Sequence, residues 1–178
     1  LLGSGLPEEA ELEAWLEGLR PEPGQGDHLF LTHYAFFIDD PGEDSFDITK
    51  KEQYLSWYFG LDRPVRERLL AIGRRVGLTR VVTGHIHCRR EVVAGGVTFD
   101  FAPGIAFSQL GDRGPEWDPT LGFLAYDVRD GRIVSKRFVP LSRVSSRKDG
   151  YGPGGHPHPE IRDYSLAWEK PVPPGRRP

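Results

Sequence analysis

The sequence predicts a mixed α/β fold of the α+β kind, and three observations predict it. Two short apolar runs, at residues 29–32 and 79–83, read as buried strands. A segment with apolar residues at helical spacing precedes each run. Two further pairs of strand-like stretches, joined at Gly95-Gly96 and around Asp130-Gly131, read as hairpins.

Each element has its local reason. Pro7 suits a first helical turn, and Leu12, Trp15, Leu16 and Leu19 follow at i, i+3, i+4 and i+7. Gly18 and the run Pro21-Glu22-Pro23-Gly24 end that helix. Leu29-Phe30-Leu31-Thr32 is the first strand, running into His33 and Tyr34. Residues 35–62 read as a long connection with an acidic turn, Asp39-Asp40-Pro41-Gly42-Glu43-Asp44, and an aromatic group of Tyr54, Trp57, Tyr58 and Phe59. Loops of that length tend to be functional or disordered, and the aromatics favour packing or ligand contact. Pro64 opens the second helix, Val65, Leu69, Ile72 and Val76 mark its apolar face, and Gly77 stops it. The second buried strand leads straight into Gly84-His85-Ile86-His87, and the hairpins 91–94/97–101 and 121–128/133–139 follow. From Ser142 onward Gly, Pro, Arg and His dominate, with residues 161–168 the one apolar strip able to dock. The expected organisation is a body over 1–141 and a Pro/Gly-rich tail over 142–178.

Composition narrows the function classes. The chain has 178 residues, 38% hydrophobic and 28% charged, with a formal net charge of −3. This is enough for one domain with a real core. No apolar run approaches the roughly 18–20 residues of a membrane helix, and the near-balanced charge gives no case for nucleic acid or an anionic membrane. A single cysteine, Cys88, excludes an intrachain disulfide framework and a cysteine-only zinc cluster. There is no methionine, and the opening Leu1-Leu2-Gly3-Ser4-Gly5 carries no signal-peptide pattern. The expectation is a processed or missing beginning; the compartment stays open, cytoplasmic by default.

Six histidines are present, and His33, His85 and His87 stand apart by position. Each lies just beyond the last residue of a buried strand, where open α/β sheets place ligand sites. Neutral imidazole is the commonest protein ligand for transition metals. In a strand, His-x-His would turn both rings to one face and grip one ion. On a turn the two diverge and can hold neighbouring ions, and Gly84 favours the turn. The plain alternative is three polar residues capping a sheet. His28 reads as a solvated loop residue, His156 and His158 as part of the biased tail, and Cys88 as a buried, inert thiol. Arg89 and Arg90 are candidates for contacting substrate phosphate, or else ordinary ion-pairing residues. Tyr58 and Phe59, with their aromatic neighbours, either wall a pocket or pack their loop. Asp39 and Asp40, beside Pro41-Gly42, read as turn residues rather than ligands.

Thr83-Gly84-His85-Ile86-His87 after Val81-Val82 resembles the last signature of the calcineurin-like metallophosphoesterases, a GHxH following a strand. Leu29-Phe30-Leu31-Thr32-His33-Tyr34 resembles the preceding strand-His-x-Pro signature, with Ala35 where that family often has proline. The helices before each histidine motif and the two closing hairpins extend the resemblance over residues 1 to about 140. The family's earlier motifs, Asp-x-His, Gly-Asp and Gly-Asn-His, do not occur here. The resemblance therefore implies the C-terminal half of a four-layer α/β/β/α sandwich, with the carboxylate ligands and the general acid in an N-terminal half that would be its partner. It implies two divalent or trivalent ions (Fe, Zn or Mn), His33 and His85 on one and His87 on the other, acting on a phosphate-ester substrate through hydroxide attack on phosphorus. Such a chain would be inactive alone. Two alternatives remain: a non-catalytic metal-binding or interaction module, and a cupin-type mononuclear site using His85, His87 and Glu91. Against the cupin stand Thr79, where its motif has glycine, and the strong helix over 63–77.

Overall fold

The computed structural model describes residues 7–22, 24, 26–47, 49–110 and 113–143, and its architecture is mixed α/β. The tail readings, including His156, His158 and the strip 161–168, lie outside the described residues. The elements are α1 (Pro7–Gly18), β1 (His28–Thr32), a 3-10 turn (Lys51–Gln53), α2 (Tyr54–Phe59), α3 (Arg63–Arg75), β2 (Leu78–Thr83), β3 (Arg90–Ala94), β4 (Val97–Phe101), β5 (Gly122–Arg129) and β6 (Arg132–Pro140). Among the described residues, no helix is long and apolar enough to cross a membrane.

β1, β2 and β4 run parallel and β3 returns antiparallel to β4, giving the order β1-β2-β4-β3. Of the first hairpin it is the second strand that joins β2. Val97, Phe99 and Phe101 are buried along β4 whereas β3 alternates half-buried with exposed residues, so the more apolar strand takes the interior place. The hairpin turn Gly95-Gly96 has φ of 57° and 79°, the left-handed geometry a two-residue turn needs. β5 and β6 form a separate two-stranded sheet, turning at Asp130 (φ 50°) and Gly131 (φ 73°).

One face of the four-stranded sheet carries Phe30, Val81, Phe99 and Phe101, paired in register across the strands. It meets Phe36 and Phe37: the Phe30–Phe36 ring centroids lie 5.7 Å apart and Phe37–Phe99 5.0 Å. α3 adds Leu69 and Ile72 to this core, and Gly73 lets the helix close on Leu78. Asp62 caps α3, its carboxylate accepting from the Arg63 N–H at 2.8 Å.

The opposite face receives the β5–β6 hairpin through a buried charge. Asp100, fully buried on β4, accepts hydrogen bonds from Tyr126 Oη of β5 at 2.6 Å and Lys136 Nζ of β6 at 2.6 Å, and pairs with Arg80 of β2. The hairpin tip is fastened as well: the Asp27 N–H donates to the Gly131 carbonyl at 2.7 Å, and the Ile133 N–H to the Asp27 carboxylate at 2.7 Å. The β1 end of this face stays open, with Leu31 73% exposed and Leu29 39%.

The long connection is more ordered than its composition predicts. Residues 35–38 are buried, and Ala35 bridges to Gly60, so both ends of the segment meet and a six-residue helix forms between them. Arg66 of α3 reaches back, donating to the Phe36 carbonyl at 3.0 Å and to the Glu43 carbonyl.

Candidate metal centre

The site sits at the carboxyl ends of β1 and β2. Their parallel pairing sets Thr32 beside Thr83, and the ladder runs one bond further, from the Gly84 N–H to the Thr32 carbonyl at 3.2 Å. The residues that follow on each strand therefore face each other. The His33 and His85 ring centroids are 4.5 Å apart.

Beyond β2 the chain turns sharply. The Ile86 N–H donates to the Gly84 carbonyl at 2.6 Å, closing a three-residue turn centred on His85, whose φ is 58°. This is the positive-φ form of the γ-turn, the more strained of the two. His87 follows with φ of 53°. Two histidines within three residues thus occupy backbone that L side chains avoid, a form of strain that clusters at functional sites. Between them Ile86 is fully buried and anchors the turn.

Aromatic residues enclose His85. Its ring lies 4.9 Å from Tyr34, 5.1 Å from Tyr58 and 4.9 Å from Phe59, centroid to centroid. α2 supplies the last two and also its terminal carbonyls, which have no partner within the helix. His85 Nε2 stands 2.9 Å from the Tyr58 carbonyl, which can only accept, so Nε2 carries the proton and the Nδ1 lone pair faces elsewhere. The Phe59 carbonyl accepts from the Ala35 N–H at 3.0 Å. Here proline would not serve: it has no N–H to donate.

His87 is held from the other side by the loop after β4. Its ring packs on Phe107 at 4.5 Å, and Gly104 passes so close that a Cβ there would stand 3.0 Å from His87 Cβ. Gln109 Nε2 donates to the His85 carbonyl at 2.9 Å and lies 3.4 Å from His87 Nδ1. Burial lowers the pKa of both His85 and His87, and the neighbouring imidazoles push the same way; the Tyr58 and Phe107 carbonyls oppose this. Both rings therefore favour the neutral, lone-pair-bearing form at neutral pH.

The other candidates lie elsewhere or are already engaged. Arg89 donates through Nε to Asp118 at 3.0 Å and its guanidinium lies over the Phe138 ring at 4.4 Å. Arg90 donates to the Ile38 and Asp39 carbonyls at 2.7 and 2.9 Å and stacks on Trp117. Both line a cleft of about 470 Å³ between β3 and the second hairpin that none of the three histidines lines. Glu91 pairs with Lys136 and, at 3.9 Å, with Arg80. Asp40 accepts from the Gly42 N–H at 2.7 Å, closing its turn. Cys88 is fully buried, and that burial pushes its thiol pKa up. Gln109, Phe107 and Gly104 have no motif of their own in the sequence; only the turn dipeptide Pro103-Gly104 hints that the chain doubles back there.

As donors, imidazoles suit iron, zinc or manganese, and the Nδ1 lone pair of His85 with its Nε2–H held by a carbonyl is the arrangement metal-binding histidines use. Among the described residues, however, no group of three or more His, Cys, Asp or Glu side chains is placed to hold an ion. No family model, curated protein or solved structure significantly matches the chain.

Proposed function

We propose that this chain is the histidine-bearing part of a metal-dependent phosphoric ester hydrolase of the calcineurin-like type, the C-terminal half of a four-layer α/β/β/α sandwich. One observation carries the reading: His33 and His85, from the ends of adjacent parallel strands, stand ring to ring at 4.5 Å, with His85 and His87 both on strained positive-φ backbone. Strain of that kind is kept where ligand direction matters more than stability.

His33 and His85 would hold one ion and His87 a second; such ions polarise phosphoryl oxygens and activate water. The chain's own residues do the orienting. The Tyr58 carbonyl fixes the His85 proton on Nε2, and Tyr34, Tyr58 and Phe59 exclude water from three sides of its ring. Tyr34 and Tyr58 are 45% and 37% exposed, so they also offer apolar surface to an ester group at the rim. Arg89 and Arg90 contact phosphate only by leaving their present partners. Carboxylate ligands and a general acid would have to come from a further segment, and the exposed Leu29 and Leu31 on β1 offer it apolar surface. The second sheet packed across Asp100 supports the layered reading.

Metal content by mass spectrometry and p-nitrophenyl phosphate turnover test this. The 178 residues alone are expected to bind zinc or manganese through His33 and His85 and to turn over little ester. Metal binding unchanged in His33→Ala and His85→Ala would overturn the site. Fast, metal-dependent hydrolysis by this chain alone would overturn the need for a second segment.

A further inference from the structure

We infer that the cleft between α3 and the β3–β4 hairpin is a binding site for a small organic anion, a phosphate or phosphonate carried on an apolar body. The inference does not rest on the histidine turn, and none of the three histidines lines this cleft. Its volume is about 460 Å³, within the range of small-molecule sites. Two arginines of α3 supply its positive charge, Arg66 from a buried position and Arg74 from an exposed one.

The first observation is an incompletely neutralised buried cation. Arg66 is 2% exposed, and its hydrogen bonds go to neutral groups, the Phe36 and Glu43 carbonyls. These bonds occupy two of its five N–H donors. The Glu43 carboxylate stands 3.8 Å from Arg66, beyond hydrogen-bond reach. It is already held by the backbone, accepting from the Ile38 N–H at 2.9 Å and the Asp39 N–H at 3.2 Å. A buried guanidinium is ordinarily bonded directly to its counter-charge. An anion in the cleft would complete what Glu43 only begins.

The second observation is Arg74. Arg63, Arg68 and Arg75 of the same helix each pair with a glutamate. Arg74 makes no hydrogen bond or ion pair among the described residues. Its Nη2 rests against the hairpin turn, 3.1 Å from where a Cβ on Gly95 would stand. Glycine there serves the turn at φ 57° and also leaves the guanidinium room. Glu67 lines the cleft too, but it pairs with Arg63 at 2.8 Å. The two arginines lie about 12 Å apart along the helix axis, with Leu70 between them on one ridge. Leu70, Ala94 and Phe99 give the space between the charges an apolar lining. Guanidinium forks beside such a lining favour an anion with a hydrophobic body over bare phosphate.

Phenylphosphonate is the probe, because its P–C bond resists hydrolysis. Binding is read on the backbone amides of the full, metal-free chain by nitrogen–proton NMR. The parent is expected to bind it more tightly than inorganic phosphate, with shifts at Gly42, Arg74 and Gly95. Arg74→Gln is expected to weaken binding about tenfold, the loss of one charge-assisted hydrogen bond. Arg68→Gln removes a charge from the same helix outside the cleft and is expected to bind like the parent. No binding by the parent, equal binding by Arg74→Gln, or an equal loss in Arg68→Gln would each overturn the site. Shifts confined to residues 84–87 would also overturn it, by placing the anion at the histidine turn. Phosphate binding as tightly as phenylphosphonate would overturn the organic character of the ligand.

Discussion

At the scale of single residues, the candidate site is a place where backbone preference is set aside. A left-handed L residue costs roughly 1–2 kcal/mol. His85→Gly is therefore expected to be more stable than His85→Ala by about 1 kcal/mol, both having lost the imidazole; urea unfolding of the pair reads the difference directly. Equal midpoints would mean the turn at φ 58° is not strained. Ala35 makes a second case. Ala35→Pro removes the donor to the Phe59 carbonyl and leaves that buried acceptor unpaired, an expected loss of about 2 kcal/mol by the same measurement. These histidines were legible in sequence because an apolar run ending in histidine is a local pattern. Gln109 was not, because nothing near it in the chain says that its amide will reach a carbonyl 24 residues away.

At the scale of elements, the Asp100 knot joins the two sheets. Burial pushes the Asp100 carboxyl pKa up, but the hydrogen bonds from Lys136, Tyr126 and Arg80 outweigh it and hold the group below the usual aspartate range. A carboxyl with a folded pKa below its unfolded one contributes stability fully above the unfolded value, and loses it as pH falls toward the folded one. The parent is thus expected to lose stability below roughly pH 4 more steeply than Asp100→Asn, checked by urea midpoints across pH 2–6. At neutral pH, Asp100→Ala leaves Lys136 and Arg80 with Glu91 as their remaining carboxylate and takes the acceptor from Tyr126 Oη, and is expected to cost about 3 kcal/mol. The strand over 97–101 could be foreseen; its inner place between β2 and β3 could not, since either strand of a hairpin can pair outward. Residues 54–59 escaped for another reason. Six residues of Tyr-Leu-Ser-Trp-Tyr-Phe offer neither a full amphipathic period nor a side-chain cap, and tertiary closure at Ala35 and Gly60 is what makes them helical.

For the molecule as a whole, β1 is an outer strand of its sheet among the described residues, and it carries exposed leucines beside an apolar groove under α1 and α3. Unprotected edges of this kind invite pairing with another chain. The isolated protein is expected to self-associate at micromolar concentration, and Leu31→Lys to shift it toward monomer in sedimentation velocity. A parent that stays monomeric would show that the edge is already satisfied.

The Asp100 knot also sets an order of events. Its carboxylate lies on β4, whereas Tyr126 and Lys136 come 26 and 36 residues later. Until the chain beyond β4 has left the ribosome, that strand holds a charge paired with Arg80 but not with Tyr126 or Lys136, and its sheet gains little by closing over it. The β5–β6 hairpin is thus what makes closing the four-stranded sheet over that charge favourable, and a chain stopped before β5 is expected to leave the sheet open.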